Sequence, residues 1–142
     1  MTLVRHLLEG KTRDLYSIHP DEPVLAAIEQ MAALSVGALL VLKGDELVGI
    51  ISERDYARKV ILKGRSSAET PVWMIMSAPV THVTLDDTVN TCMMLMTEKK
   101  FRHLPVVADG RVVGMLSIGD LVKQVIDEQA REIDQLQRYI AS

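Results

Sequence analysis

Phe101-Arg102-His103-Leu104-Pro105-Val106-Val107-Ala108-Asp109-Gly110-Arg111-Val112-Val113-Gly114-Met115-Leu116-Ser117-Ile118-Gly119-Asp120 decides the reading of this chain. Two apolar runs flank Asp109-Gly110, a dipeptide that tolerates positive φ and so favours a tight hairpin turn. The second run ends at Ser117, and Ser117-Ile118-Gly119-Asp120 reads as a helix start, with a hydroxyl to accept from a backbone N–H and an acid in the first turn. Strand, turn, strand and helix thus bring a hydroxyl, a carboxylate and helix-start amides together.

The unit occurs twice. A shift of 65 positions lays Ala38-Leu39-Leu40-Val41-Leu42-Lys43-Gly44-Asp45-Glu46-Leu47-Val48-Gly49-Ile50-Ile51-Ser52-Glu53-Arg54-Asp55 over His103 to Asp120 without a gap. Leu39/Leu104, Val41/Val106, Gly49/Gly114, Ser52/Ser117 and Asp55/Asp120 are identical pairs, and the match continues upstream through Asp21/Asp86, Val24/Val89 and Met31/Met96. Val24, Ile28 and Met31, like Val89, Met93 and Met96, have helical spacing. Each repeat therefore reads as a short strand, a helix, a hairpin and a second helix, an α+β arrangement. Since neither copy can bury its apolar face alone, the expectation is one shared core.

The remaining segments follow from this frame. Residues 2–10 read as a short helix stopped by Gly10, Lys11 to Leu15 as a polar link, and Tyr16-Ser17-Ile18 as the first strand. The acids of Asp21/Glu22 and Asp86/Asp87 fit helix starts. Ser52 opens a helix to about Leu62, ended by Lys63-Gly64. Arg65 to Glu69 is a loop, after which Thr70-Pro71 caps a further short helix through Met76. The expected organisation is 1–15 as N-terminal helix and link, 16–64 as repeat one, 65–79 as linker with a short helix, 80–125 as repeat two, and 126–142 as a C-terminal helical extension.

Composition bounds the function. The 142 residues carry a net charge of −3, with 48% hydrophobic and 4% aromatic residues. This balance suits one globular domain and speaks against nucleic acid, which needs a basic face or stacking platforms. The single Cys92 sits in an apolar helix and excludes an intrachain disulfide. Met93, Met94 and Met96 around it read as gap-filling core rather than a metal site. No apolar run approaches the roughly 18–20 residues that span a bilayer, and no signal peptide is evident, so the expected location is cytoplasmic. The final helix, Gly119 to Ile140, carries Val122, Ile126, Ile133, Leu136 and Ile140 in a four-three spacing. This stripe either folds back on the chain's own core or meets a second copy across a two-fold axis, and the expectation is a homodimer.

The doubled unit resembles the CBS domain, and two copies are similar to a CBS pair, or Bateman module, of the stand-alone bacterial and archaeal type. The resemblance rests on Phe101 to Val107, Val113 to Asp120 and Val48 to Asp55, and covers about Tyr16 to Val125. It implies pseudo-two-fold packing and two clefts that bind adenosine nucleotides such as AMP, ADP, ATP or NAD, without catalysis. In such modules the Asp of Ser-x-x-Asp holds ribose hydroxyls while adenine lies against the other repeat. Carried over, Asp120 with Ser117 serves a cleft walled by Tyr16, Gly37, Ala38 and Leu39. Asp55 with Ser52 serves the other, walled by Thr81, Arg102, His103 and Leu104. Arg54 at a helix start, with Arg102 and His103 at the mouth of a strand, suits phosphate.

Each residue also has a structural reading. Ser-x-x-Asp is close to a capping box. Arg102 and Lys99-Lys100 suit solvated surface, and His103 a histidine at the edge of the core. Repeat one has Gly37-Ala38 where repeat two has Arg102-His103, and Glu53-Arg54 where repeat two has Ile118-Gly119. The clefts are therefore expected to differ, one taking a monophosphate and one a longer or dinucleotide ligand. No catalytic triad, Walker loop or dinucleotide loop is present. Two functions remain: a nucleotide sensor acting through a dimer or an unidentified protein partner, and a structural regulatory subunit with vestigial clefts.

Overall fold

A computed structural model describes residues 2–9, 15–100 and 102–141. The expected role of Gly10, the polar link over 11–14 and Phe101 lie outside these residues. Helix α1 (Val4–Glu9) is followed by β1 (Ser17–Ile18), α2 (Val24–Leu34) and the hairpin β2 (Ala38–Lys43) and β3 (Glu46–Ser52). Helix α3 (Glu53–Tyr56) continues as a π-helical turn over Ala57–Ile61, and α4 (Val72–Ile75) leads into the second repeat. That repeat contains α5 (Val89–Lys99), the hairpin β4 (His103–Ala108) and β5 (Arg111–Ser117), and the long α6 (Ile118–Ala141).

The hairpins are built alike. Both have two-residue turns, Gly44-Asp45 and Asp109-Gly110, and both slip register once at equivalent points, after Val41 and after Val106. At the second turn Asp109 and Gly110 have φ of 52° and 76°, the double positive φ that Asp-Gly supplies. Helices α2 and α5 also end alike, on the left-handed residues Ser35 and Lys100.

One strand is lost in the second repeat. β1 pairs in parallel with β2, joined by the Leu40 N–H donating to the Tyr16 carbonyl at 3.1 Å. The residue equivalent to Leu40 is Pro105, which has no N–H to donate. The expected strand there shrinks to a single bridge between Val83 and Val106, so repeat one has a three-stranded sheet and repeat two a bare hairpin.

The expectation of one shared core is corrected: buried apolar residues form two clusters, one per repeat. The short helices are exchanged between them. Val4 and Leu8 of α1, which precede repeat one, lie in the cluster of Val89, Cys92, Leu104 and Leu121. Val72 and Ile75 of α4, which precede repeat two, lie with Val24, Met31, Leu39 and Ile51. Backbone bonds repeat the exchange: the Val4 N–H donates to the Asp87 carbonyl and the Val72 N–H to the Glu22 carbonyl, both at 2.8 Å. Two glycines admit the crossed helices. A Cβ on Gly114 would lie 2.7 Å from Leu8 Cδ2, and one on Gly49 would lie 2.5 Å from Met76 Sδ.

Local chemistry departs from expectation at three further points. Thr70 does not cap α4, whose N-cap is Pro71 with no side-chain bond. The acid pairs sit outside the first turns of α2 and α5, and Asp87 instead accepts from the Thr84 N–H at 2.7 Å. The helix after Ser52 turns π-helical instead of running on as α-helix, with the Leu62 N–H reaching back to the Ala57 carbonyl. Cys92 is fully buried, and that burial pushes its thiol from an ordinary 9.0 to about 11, with the Asp87 charge adding to the shift. A thiol so placed packs as a small hydrophobe and stays protonated at neutral pH.

Helix α6 splits in two along its length. Leu121 is buried under repeat two, but Ile126, Ile133, Leu136 and Ile140 are all more than half exposed. The stripe does not fold back onto the chain. Among the described residues, no helix is long and apolar enough to cross a membrane.

Candidate ligand clefts

Two clefts lie between the repeats. The first, of about 480 Å³, is lined by Tyr16, Gly37, Ala38, Leu40, His103, Met115, Ser117 and Asp120, with Leu8 and Val36 among its apolar walls. The second, of about 790 Å³, is lined by Gly37, Ser52, Arg54, Asp55, Ser77, Thr81, Lys100, Arg102 and His103. Both volumes fall within the range of small-molecule sites. Each cleft thus takes a Ser-x-x-Asp from one repeat and a wall from the other, in the crossed pattern anticipated for them. Gly37 and His103 line both clefts and form their common partition, with the position of a Cβ on Gly37 only 3.9 Å from His103 Cε1.

Leu39 and Leu104 line neither cleft. Both are fully buried, each in its own repeat's core. The reason is strand alternation: Ala38 and Leu40 face the first cleft, which turns Leu39 inward, and His103 facing the clefts turns Leu104 inward.

The Ser-x-x-Asp motifs act as caps in both repeats. The Ser52 N–H donates to Asp55 Oδ2 at 3.0 Å and the Asp55 N–H to Ser52 Oγ at 3.2 Å, a complete capping box. Asp120 Oδ2 accepts from the Ser117 N–H at 2.8 Å, and the Asp120 N–H donates to Ser117 Oγ at 3.2 Å. Around Asp55 the network goes further. Its Oδ2 also accepts from Ser52 Oγ at 3.0 Å, while its Oδ1 accepts from Ser77 Oγ at 3.1 Å and pairs with Lys59 Nζ at 3.0 Å. These four partners match the roughly four lone-pair sites of a carboxylate. Asp55 is only 8% exposed, so the network sits largely out of water.

Two of the helix-start amides of α3 are engaged within the chain. The Glu53 N–H donates to the Gly37 carbonyl at 3.1 Å, and the Asp55 N–H is taken by Ser52. The equivalent bond in repeat two joins the Ile118 N–H to the Arg102 carbonyl at 2.9 Å. Positive charge in the second cleft comes from side chains. Arg54 Nη1 donates to the Lys100 carbonyl at 2.8 Å, which draws the guanidinium across to the opposite repeat beside Lys100 and Arg102. Sequence reasoning missed Ser77 and Lys59 as partners of Asp55, and treated Lys100 as plain surface. Ser77 lies outside the repeated pattern, whereas Lys59 stands four residues after Asp55 at helical spacing, a signal that was legible.

A tandem β-hairpin-and-helix module with two clefts at its pseudo-symmetric seam is the class of protein these features define. The CBS domain model matches residues 4–62 and 72–127, and the chain belongs to the CBS domain family as a CBS domain pair. A solved CBS-domain protein from Burkholderia ambifaria MC40-6 is 47% identical with a TM-score of 0.86, covering 90% of this chain and 96% of that one. The mitochondrial CBS domain-containing protein CBSX3 of Arabidopsis thaliana is 44% identical over 125 residues, which are 84% of this chain and 61% of that protein. This chain spans about a fifth (21%) of another Arabidopsis relative, CBSCBSPB5. The CBS domain pair of MJ0100, solved in complex with 5′-methylthioadenosine and S-adenosyl-L-methionine, shares the fold at a TM-score of 0.78 and 22% identity, covering 90% of this chain and 98% of that one.

Proposed function

We propose that this CBS pair is a non-catalytic regulatory module that binds adenosine-containing ligands in its two clefts and responds through contact with a second copy or another protein. The observation that carries this reading is the crossed construction of the clefts, each with a Ser-x-x-Asp on one side and the opposite repeat's strand entrance on the other. A ligand spanning such a seam touches both repeats, so its binding free energy depends on their relative position. That differential affinity is what a sensor needs. The adenosine compounds in the MJ0100 pair, a protein of the same fold, support the ligand class.

In the first cleft, Asp120 with Ser117 accepts the ribose hydroxyls, and Tyr16, Gly37 and Ala38 bound the adenine. In the second, Ser52, Asp55, Thr81, Arg102 and His103 are the corresponding groups. The exposed stripe of α6 is the surface through which two copies associate. The module's expected setting is the cytoplasm.

A thermal-unfolding screen with AMP, ADP, ATP, NAD, adenosine and S-adenosylmethionine tests the ligand class. A ligand present at 100 times its dissociation constant adds about 2.7 kcal/mol of stability. Stabilisation by at least one of these compounds, lost when the adenosine moiety is replaced by uridine, is the expected result. No stabilisation by any of them rejects the sensor reading in favour of a structural module with vestigial clefts.

A further inference from the structure

We propose that the free arm of α6 pairs with the same arm of a second copy as a parallel two-stranded coiled coil, with its register set by Gln129. This rests on the two-copy reading above and fixes the orientation of the chains, which that reading leaves open.

From Gln129 to Ala141 every residue of α6 is exposed, so the helix leaves the body and projects for about 20 Å. A solitary helix of that length is marginal in water. Its internal support is slight: Arg138 pairs with Asp134 at 3.1 Å, and Arg131 Nε donates to the Asp127 carbonyl at 3.4 Å. Those four residues stand on the back of the helix, away from the apolar stripe. The arm therefore needs a cover on its apolar side.

The stripe selects its own partner. In heptad terms Ile126, Ile133 and Ile140 fall at a, while Val122, Gln129 and Leu136 fall at d. β-branched residues at a, with leucine at d, favour two parallel strands. No charge stands at either position, so nothing there calls for an acidic or a basic partner. A parallel pair also sets Glu132 beside Gln137 of the second copy, without opposing like charges. Gln129 discriminates further, because its amide both donates and accepts and so satisfies itself when the same residue lies opposite. An antiparallel copy centred on the stripe buries that amide against Ile133 and leaves its polar atoms unmatched.

The area suffices for a specific contact. Val122, Ile126, Ile133, Leu136 and Ile140 are 41% to 79% exposed, and two such stripes together offer on the order of 1,200 Å², the lower edge of specific interfaces. Val122 lies one residue after the buried Leu121, so the seam continues from the arm onto the body of repeat two. Parallel pairing puts both bodies at one end of the assembly and both Ala141 residues at the other.

Site-directed cross-linking of the full chain, followed by sedimentation, tests the orientation. Leu136→Cys places a thiol at d, where a parallel pair brings identical positions within disulfide reach. Oxidation with copper phenanthroline is expected to join most chains through position 136. Arg138→Cys, on the back of the helix, is expected to stay largely unjoined, and the native Cys92 is buried. Gln129→Leu removes the polar layer and is expected to tighten dimerisation about tenfold while lowering the Leu136→Cys yield, since both orientations then pack. A dimer that does not cross-link through position 136, or does so no better than through 138, overturns the parallel arrangement and leaves the two-copy reading standing. A Gln129→Leu chain with unchanged affinity and yield overturns the role of Gln129. An unaltered chain that sediments as a monomer at micromolar concentration overturns both the coil and the two-copy reading.

Discussion

The two repeats share hairpin register, turn length and helix-capping chemistry, and then part company at the helix that follows. After Ser52 the chain makes one α-helical turn, loosens into a π-helical turn and stops at Ile61, whereas after Ser117 it runs unbroken to Ala141. The equivalent of Lys59 is Gln124, which reaches Glu128 on its own helix at 3.4 Å. Lys59 instead ties its helix to Asp55 and to α4. Repeat one thus spends its second helix on anchoring the cleft wall, and repeat two extends its own into an exposed apolar arm. Duplication supplied a common frame, and the two copies carry different work on it.

The largest expected effect tests the half of the comparison that is symmetric. Leu39→Ala and Leu104→Ala each remove a fully buried side chain from equivalent places, and each is expected to cost about 3 kcal/mol in urea unfolding. A cost well under 1 kcal/mol at either position breaks the equivalence of the two cores. A smaller effect sharpens the asymmetric half. Asp55→Ala removes the cap and strands Lys59 and Ser77, at about 2 kcal/mol. Lys59→Gln, which puts repeat two's residue into repeat one, is expected to cost only about 0.5–1 kcal/mol because the lysine is half exposed. Equal losses in the two variants contradict the network as drawn. The smallest effect on stability is at the arm. The double variant Ile133→Asp, Leu136→Asp changes two exposed positions and is expected to move unfolding by less than about 0.5 kcal/mol, while light scattering shows a dimer converted to monomer. A wild-type chain that is already monomeric at micromolar concentration removes the arm's proposed role.

What could be read from the residues was whatever the chain decides locally. Asp109-Gly110 names its turn, Ser-x-x-Asp names its cap, and the 65-residue repeat aligns the two halves. The parity of Leu39 and Leu104 was also legible, since Ala38 and Leu40 cannot share a strand face with Leu39. Pro105 carried the loss of a strand in plain view, because a missing N–H forbids the bond that Leu40 makes. The exchange of α1 and α4 was not legible. Both are short helices with buried faces, and nothing in Val4, Leu8, Val72 or Ile75 records which of two similar apolar clusters each one joins.

That exchange makes each half of the chain the custodian of the other. A fragment ending in the loop at 65–69 would carry α1, the closing piece of the absent half, and lack α4, the piece its own half requires. Each repeat shuffled singly into a new protein is therefore expected to need the short helix that covers it to travel with it. Movement that parts the halves therefore pulls α1 and α4 away from the clusters they cover.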